Sequence, residues 1–246
     1  MFTAQERDSL RAGVLAAAQQ DARITGGAIT GSAVGGTEDP WSDVDLAFGV
    51  SPDAPIAAVL ADFTALMYRD HGAVHHFDVL AGTWVYRVFL LASTLQVDLA
   101  FVQAPDFGAR APTFRLVFGD ANQLPSPSRP VATDLLGLAW VYALHVRSAL
   151  ARGRRWQAEY MIGEVREHVL KLACLRHGVP IDEGRGLDRL PEDATRPLEA
   201  ALVSSLDKDD LLRAFRAAIE ALIAEARLVD AGLAERLEPT LRKLAR

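Results

Sequence analysis

The sequence predicts an α/β (α+β) fold in which a short mixed sheet is followed by an all-helical bundle. Runs rich in β-branched and aromatic residues lie in the N-terminal half of the chain. A segment with Pro125, Pro127 and Pro130 then follows, which can continue neither a helix nor a central strand. After it, apolar residues recur at helical spacing. We therefore expect two domains, residues 1–125 and 131–246, joined by a linker.

The N-terminal half is predicted to run helix, strand, strand, helix and then further strands. An amphipathic helix is expected over residues 4–20, and a second helix is expected to start at Ser51-Pro52-Asp53, with serine as N-cap and proline at the first helical position. The strands of a sheet of four or five are predicted in "ARITGGAIT", "SDVDLAFGV", "AVHHFDVL", "TWVYRVFLLA" and "LQVDLAFVQ".

The C-terminal half shows helical periodicity with no further strand signals, which favours a bundle. The predicted helices cover residues 131–152, 155–177, 196–206, 208–229 and 232–245.

Composition limits the class of protein. The 246 residues are half apolar, with a formal net charge of −6 and one cysteine, Cys174, which excludes an internal disulfide framework and suits a reducing, cytoplasmic setting. No apolar run reaches membrane-spanning length, so no membrane partner is expected. Residues 1–125 carry 7 Lys or Arg against 14 Asp or Glu, and residues 126–246 carry 19 against 18. An acidic N-terminal half disfavours a long nucleic acid as partner.

Two aspartates stand one residue apart in the second predicted strand. Asp43 and Asp45 would point to the same face, roughly 6–7 Å apart along the strand. Like charges so close need a cation between them, and Mg²⁺ is bound by one or two carboxylates together with phosphate oxygens. If the strand carrying Asp98 lies beside them, three acids meet at one rim, which suits a two-metal site for phosphoryl or nucleotidyl transfer. Asp78 is the alternative third acid.

A glycine-serine turn precedes these acids. Gly31-Ser32 closes the first predicted strand, where backbone N–H groups and a hydroxyl can hold phosphate oxygens. Together with Asp43-Val44-Asp45 and Asp98, this pattern resembles the Gly-Ser and Asp-x-Asp signature of the DNA polymerase β nucleotidyltransferase superfamily. A short sheet followed by a helical half is similar to its antibiotic nucleotidyltransferases, acting on aminoglycosides and lincosamides, and to minimal nucleotidyltransferases of toxin–antitoxin systems.

The resemblance implies a nucleotidyltransferase of the EC 2.7.7 type. Asp43, Asp45 and Asp98 would be catalytic. Asp43 and Asp45 would bind two Mg²⁺ ions, and Asp98 would help to bind metal or would deprotonate the acceptor. Gly31 and Ser32 would bind the nucleoside triphosphate. The acceptor hydroxyl would attack the α-phosphate, and pyrophosphate would leave. ATP is the expected nucleotide, and a small hydroxylated molecule, such as an antibiotic, is the expected acceptor.

Further site residues are predicted from individual positions. Ser42 is assigned to nucleotide binding. In the helical domain, which is expected to complete the acceptor site, Arg154 and Arg155 open a helix and either reach the triphosphate or form a solvated helix start. Glu159 or Glu164 is a candidate base for the acceptor.

Other functions stay open on the sequence. One is a toxin–antitoxin type transferase that modifies a protein or a tRNA, and another is a nucleotide-binding or partner-binding module without turnover. The chain is expected to act as a monomer or a homodimer. The tryptophans Trp84, Trp140 and Trp156 are read as packing residues, any of which could also stack on a base.

Overall fold

The structure is a computed structural model that describes residues 1–126, 128 and 130–246. It consists of two compact units, Met1–Ser128 and Arg129–Arg246. The predicted linker falls partly on Pro127 and Arg129, which lie outside the described residues. Each unit is described by itself.

The first unit is built around a six-stranded mixed sheet in the order β3-β4-β5-β2-β1-β7, with a second, two-stranded sheet of β6 and β8. β2 and β5 are parallel, and the other neighbours in the large sheet are antiparallel. In chain order its elements are α1 (Ala4–Gln20), β1 (Ile24–Thr30), β2 (Val44–Val50), α2 (Ile56–Asp70), β3 (Ala73–Ala81), β4 (Trp84–Leu91), β5 (Gln96–Gln103), β6 (Gly108–Ala109), β7 (Phe114–Gly119) and β8 (Asn122–Gln123).

The two faces of the large sheet differ because side chains alternate along each strand. On one face, residues such as Leu46, Phe48 and Leu99 join residues of α1 and α2 in a large apolar core. On the other face, Ala47 and Ala100 belong to a smaller cluster with Trp84 and Phe107. The acids of β2 and β5 lie on this second face.

Two details of the first unit differ from the sequence prediction. The helix expected to start at Ser51 begins at Ile56 after Pro55, because Ser51 instead closes a turn whose carbonyl accepts from the Ala54 N–H at 2.9 Å. The large sheet has six strands rather than four or five, because the edge strand β7 was not predicted, and the short strands β6 and β8 were not predicted either. The apolar residues of β7 do not alternate strictly, and it pairs with β1 through a register shift between Gly27 and Ala28.

The second unit is helical, and no strand occurs within residues 130–246 as the structure describes them. A large core joins its main helices. The helices are α3 (Ala132–Ala151), α4 (Arg155–His177), α5 (Glu192–Glu199), α6 (Lys208–Val229) and α7 (Ala231–Leu244). The predicted fold class, a short mixed sheet followed by a helical bundle, is confirmed.

One predicted helix of this unit is misplaced. The helix expected over residues 196–206 covers Glu192–Glu199 instead. The N–H groups of Ser204 and Ser205 donate to the carboxylate of Asp210 at 2.7 and 2.8 Å, so these amides satisfy a turn before α6 and cannot extend α5. Within the described ranges, every helix is too short or too polar to cross a lipid bilayer.

Candidate active site

The acids predicted on two separate strands are neighbours in the sheet. β2 and β5 pair in parallel, and the Cα of Asp45 lies opposite the Cα of Asp98. Asp43 immediately precedes β2, and all three residues are half-buried. Because residues two apart on a strand share a face, Asp45 and Asp98 lie on the face opposite the α1 and α2 core. Asp45 and Asp98 thus form the centre of the candidate site.

The carboxyl group of Asp98 has an unusual pKa. Burial disfavours its charged form and raises its pKa from the ordinary 3.8 to about 6. The side-chain amide of Gln96 donates to its Oδ1 at 3.0 Å and opposes this rise, whereas the negative charge of Asp43 adds to it. Among the residues that the structure describes, Asp98 is therefore a carboxyl group without an ion-pair partner and close to a second acid.

Gly31 brings the backbone against the acid pair. It has a φ of 69°, a left-handed conformation that glycine adopts without strain. A Cβ at this position would collide with Oδ2 of Asp45 and would lie 3.0 Å from its Cγ. The turn that starts here, Gly31–Val34, is a single 3-10 turn that contains Ser32. Only glycine allows this turn to pass so close to the carboxylate.

The loop from this turn to Asp43 is held in place by its own polar groups. The carbonyl of Ser32 accepts from the N–H and the hydroxyl of Thr37 at 3.3 and 3.2 Å. The hydroxyl of Ser42 accepts from the Asp39 N–H at 2.9 Å and donates to the Asp39 carboxylate at 3.0 Å. Ser42, predicted to bind nucleotide, thus already uses its hydroxyl within this turn.

Helix α1 also holds this loop in place, through contacts that the sequence does not predict. Arg7 is buried and donates to the carbonyl of Asp39 at 2.6 Å. Arg11 forms an ion pair with Glu38, and the two side chains are only 12 % and 18 % exposed. No local pattern reveals such a contact, because the partners lie on different elements. The contacts of Arg7 and Arg11 with the loop thus fix the chain between the glycine turn and Asp43.

Asp78, the alternative third acid, is not brought to this site. Its carboxylate accepts two hydrogen bonds from Arg87, both of 2.7 Å, and this guanidinium lowers the pKa of Asp78. Arg87 also donates to the hydroxyl of Thr64 on α2, at 2.7 Å. The pair therefore belongs to the face of the sheet that α2 covers.

The predicted site residues of the helical half all lie on or next to α4. Arg154 is its N-cap residue and Arg155 its first residue, and both are exposed. Glu159 and Glu164 follow within the helix and are half-buried. Their roles in nucleotide and acceptor binding stay predictions.

Glu164 has two neighbours on its helix. Its charge and a hydrogen bond with Tyr160 raise the pKa of the Tyr160 phenol. The buried ring of His168 is joined through Nδ1 to the backbone carbonyl of Glu164 at 2.8 Å, whereas the carboxylate of Glu164 lies 4.0 Å away. The carboxylate of Glu164 is thus engaged by a tyrosine rather than held by the histidine.

The acids on β2 and β5 suit a metal that the substrate helps to bind. Among the described residues, no group of three or more His, Cys, Asp or Glu side chains is arranged to hold a metal ion. Mg²⁺, however, usually takes one or two carboxylates and completes its shell with water and substrate phosphates. The Asp45 and Asp98 pair, with the open backbone of Gly31 beside it, fits such a partial site.

Comparisons with known proteins find likeness among solved structures. No protein-family model matches the sequence, and no curated protein matches it. Among solved structures, the chain is similar to an aminoglycoside 6-adenyltransferase from Bacillus subtilis, with 14 % sequence identity, coverage of 97 % of this chain and 98 % of that chain, and a TM-score of 0.44. At this level of similarity, the function has to be argued from the site itself.

Proposed function

We propose that the protein is a Mg²⁺-dependent nucleotidyltransferase that transfers the adenylyl group of ATP to a hydroxyl of a small acceptor and releases pyrophosphate. The observation that carries this proposal is the position of Asp45 opposite Asp98 on parallel strands, with Gly31 packed against the Asp45 carboxylate.

The electrostatics of the acid pair support a cationic ligand. Burial and the charge of Asp43 both disfavour the charged form of the Asp98 carboxyl group. The hydrogen bond from Gln96 only partly offsets these two effects. A hard divalent cation would relieve the repulsion, and Asp43, Asp45 and Asp98 are the residues we propose to hold it. When bound, Mg²⁺ supplies charge neutralisation for the triphosphate and for the departing pyrophosphate.

The glycine turn supplies access for the triphosphate. Since Gly31 has no side chain, phosphate oxygens can approach the backbone of Gly31 and Ser32 next to the Asp45 carboxylate. The contacts of the loop with α1 hold this backbone in place before substrate arrives, and such preorganisation is what phosphoryl-transfer sites mainly contribute. Gly31 and Ser32 are thus proposed as the triphosphate-binding residues.

The transfer needs an acceptor for one proton. The acceptor hydroxyl oxygen forms a bond to the α-phosphorus, the bond from that phosphorus to the bridging oxygen of pyrophosphate breaks, and the hydroxyl proton passes to a carboxylate. Asp98 is the proposed proton acceptor within the first unit. Glu159 and Glu164 of the second unit stay predicted alternatives, as do Arg154 and Arg155 as triphosphate ligands.

The proposal is tested by incubating the protein with α-labelled ATP, Mg²⁺ and a panel of aminoglycoside and lincosamide antibiotics. We expect labelled product and pyrophosphate, both abolished by EDTA and restored by added Mg²⁺. Asp45→Asn and Asp98→Asn keep the side-chain size and remove a charge, and each is expected to lower the rate about 100- to 1000-fold, as when a group that stabilises transition-state charge is lost.

Asp53→Asn is the matched control, because Asp53 is exposed in the turn after β2. Undiminished transfer by both site variants would contradict the proposed chemistry. Nucleotide binding by calorimetry without any pyrophosphate release would favour the module without turnover. Labelling of tRNA or protein in place of the antibiotics would move the acceptor to the macromolecular class.

A further inference from the structure

The face of the sheet that carries the acids also carries a pocket. Ala47 follows Asp45 by two residues, and Ala100 follows Asp98 by two residues, so all four share one face. From the strand rise, the two alanines lie roughly 6–7 Å beyond the two acids. Here a cavity of about 200 Å³ opens within the first unit.

This cavity has aromatic walls and a floor of small side chains. It is lined by Thr30, Ala47, Trp84, Tyr86, Ala100 and Arg110, among others. The rings of Trp84 and Tyr86 are stacked, with centroids 5.9 Å apart and an interplanar angle of 27°. The alanines leave the space above the strands open, and Thr30 immediately precedes Gly31. The pocket therefore continues directly from the proposed triphosphate turn.

Trp84 carries a buried donor that lacks a protein partner. The residue is only 7 % exposed, and its indole Nε1 has no hydrogen-bond partner among the described residues. A buried N–H without an acceptor costs free energy, and tryptophan N–H groups usually find a partner when buried. This uncompensated cost is unusual for a side chain that only packs in a core.

The charge of the pocket narrows the class of ligand. Arg110 is exposed at the pocket and lies close enough to Tyr86 for its positive charge to oppose the rise that burial causes in the pKa of the Tyr86 phenol. The positive charge of the Arg110 guanidinium disfavours a polycationic acceptor such as an aminoglycoside. The planar guanidinium and the stacked rings of Trp84 and Tyr86 favour a flat, neutral ring with hydrogen-bond acceptors.

We propose that this pocket binds the nucleobase of the nucleotide whose triphosphate lies at Gly31 and the acids. The inference rests on the proposed function and adds the location of the base. The ribose would bridge the distance along β2 and β5 between the acid pair and the alanines. The stacked rings of Trp84 and Tyr86 would contact the base, and Arg110 would cover its outer face or edge.

The test separates the base from the phosphates by using three probes in calorimetry: Mg²⁺-ATP, Mg²⁺-tripolyphosphate and adenosine. Trp84→Phe keeps an aromatic ring of smaller area, and Arg110→Ala removes the guanidinium from an exposed position. We expect each variant to weaken ATP and adenosine binding about 3- to 10-fold, the range of one weakened ring or guanidinium contact, and to leave tripolyphosphate binding unchanged.

Arg115→Ala is the matched control. Arg115 lies on β7 opposite Ile29, whose side chain belongs to the α1 and α2 core, so this residue is on the other face of the sheet. Its loss is expected to change none of the three affinities. Melting curves of all variants check folding, and Arg110→Ala keeps the test valid if Trp84→Phe unfolds.

The outcomes distinguish failure of the base pocket from failure of the transferase site. If wild-type protein binds tripolyphosphate as tightly as ATP, or if Trp84→Phe and Arg110→Ala leave ATP binding unchanged, the base does not occupy this pocket and the inference is overturned. If tripolyphosphate binding depends neither on Mg²⁺ nor on Asp45, the proposed transferase site fails instead. Adenosine binding then still reports on the pocket by itself.

Discussion

Two carboxylates, one in each unit, show opposite ways of placing a charge in a fold. Asp210 in the helical unit accepts hydrogen bonds from the N–H groups of Ser204 and Ser205, from the Ser204 hydroxyl and from the guanidinium of Arg213. The guanidinium of Arg213 and then the backbone and hydroxyl donors hold the pKa of Asp210 far below the usual range. Asp98 in the sheet unit has one amide donor, from Gln96, and its pKa is raised to about 6 by burial and by Asp43.

The contrast separates a structural acid from an acid that awaits a ligand. The donors of Asp210 lie within a few residues of it along the chain. Its carboxylate therefore stabilises the turn before α6 through local hydrogen bonds. Asp98 lies between apolar strand residues, and burying its charge there lowers the stability of the fold. A carboxylate that is under-supplied with donors is typical of functional sites, because the missing partner arrives with the substrate.

The largest expected effect comes from the glycine that touches the acid pair. Gly31→Ala would push a Cβ into the Asp45 carboxylate and would strain a residue with φ of 69°. Because a displacement of about 1 Å in such a site can cost on the order of 100-fold in rate, we expect a loss of that size in adenylyl transfer.

Gly36→Ala provides the matched control for this change. Gly36 has a similar φ of 65°, but an added Cβ would meet nothing within 4 Å. The same backbone strain is thus introduced without contact to an acid. Equal rates for the two variants would show that the proximity of Gly31 to Asp45 has no part in the activity.

The next effect concerns the structural acid. Asp210→Asn removes the charge that accepts from Ser204, Ser205 and Arg213, so we expect a melting temperature lower by several degrees at pH 7. The folded-state pKa of Asp210 lies below its ordinary 3.8, so its stabilisation is present above that value and is lost as the pH falls through the lowered pKa. The difference in melting temperature between wild type and variant should therefore shrink in acid. A difference that grows in acid would contradict this assignment.

Asp98→Asn should act in the opposite direction. Since the folded-state pKa of Asp98 is about 6 against an ordinary 3.8, wild-type protein loses stability as the pH rises through this interval. The variant lacks this loss, and we expect it to be more stable than wild type above pH 6 by about 1–2 kcal/mol, after solvent screening is discounted. Urea unfolding between pH 4 and pH 8 measures this, and a variant less stable than wild type at pH 8 would show that the charge of Asp98 is compensated.

The smallest effect tests the single donor of Asp98. Gln96→Ala removes the amide that donates to Oδ1 at 3.0 Å, and this amide lowers the pKa of Asp98. We therefore expect the pKa of Asp98 to rise further in the variant, as followed by carboxyl carbon chemical shifts during a pH titration. An unchanged titration would mean that the amide does not contact the carboxylate in solution.

Much of the fold could be predicted from local patterns. The strand β2 follows from the alternation of Val44, Leu46 and Phe48 with polar or small residues, and the helices α3, α4 and α6 follow from their apolar periodicity. The predicted start of α2 was wrong, because a serine followed by proline can form a turn as well as cap a helix. The hydrogen bond that decides between a turn and a cap is not visible in the sequence.

The candidate site could be predicted in part. The spacing of Gly31, Asp43 and Asp45 is local and readable, but the register that sets Asp98 opposite Asp45 depends on the order of strands. Contacts between distant segments of the chain form the rest of the site. They join Arg7 and Arg11 to the loop and build the pocket around Trp84. Such contacts have no sequence period, so only the structure shows them.

The parallel pairing of β2 and β5 has a consequence for folding. Parallel neighbours need a long crossover, which here runs through α2 and the antiparallel strands β3 and β4. The hairpin of β3 and β4 can form early from local contacts, whereas β5 can join β2 only after this crossover has closed. Asp45 and Asp98 are therefore brought opposite each other late, after the local contacts of the crossover have formed.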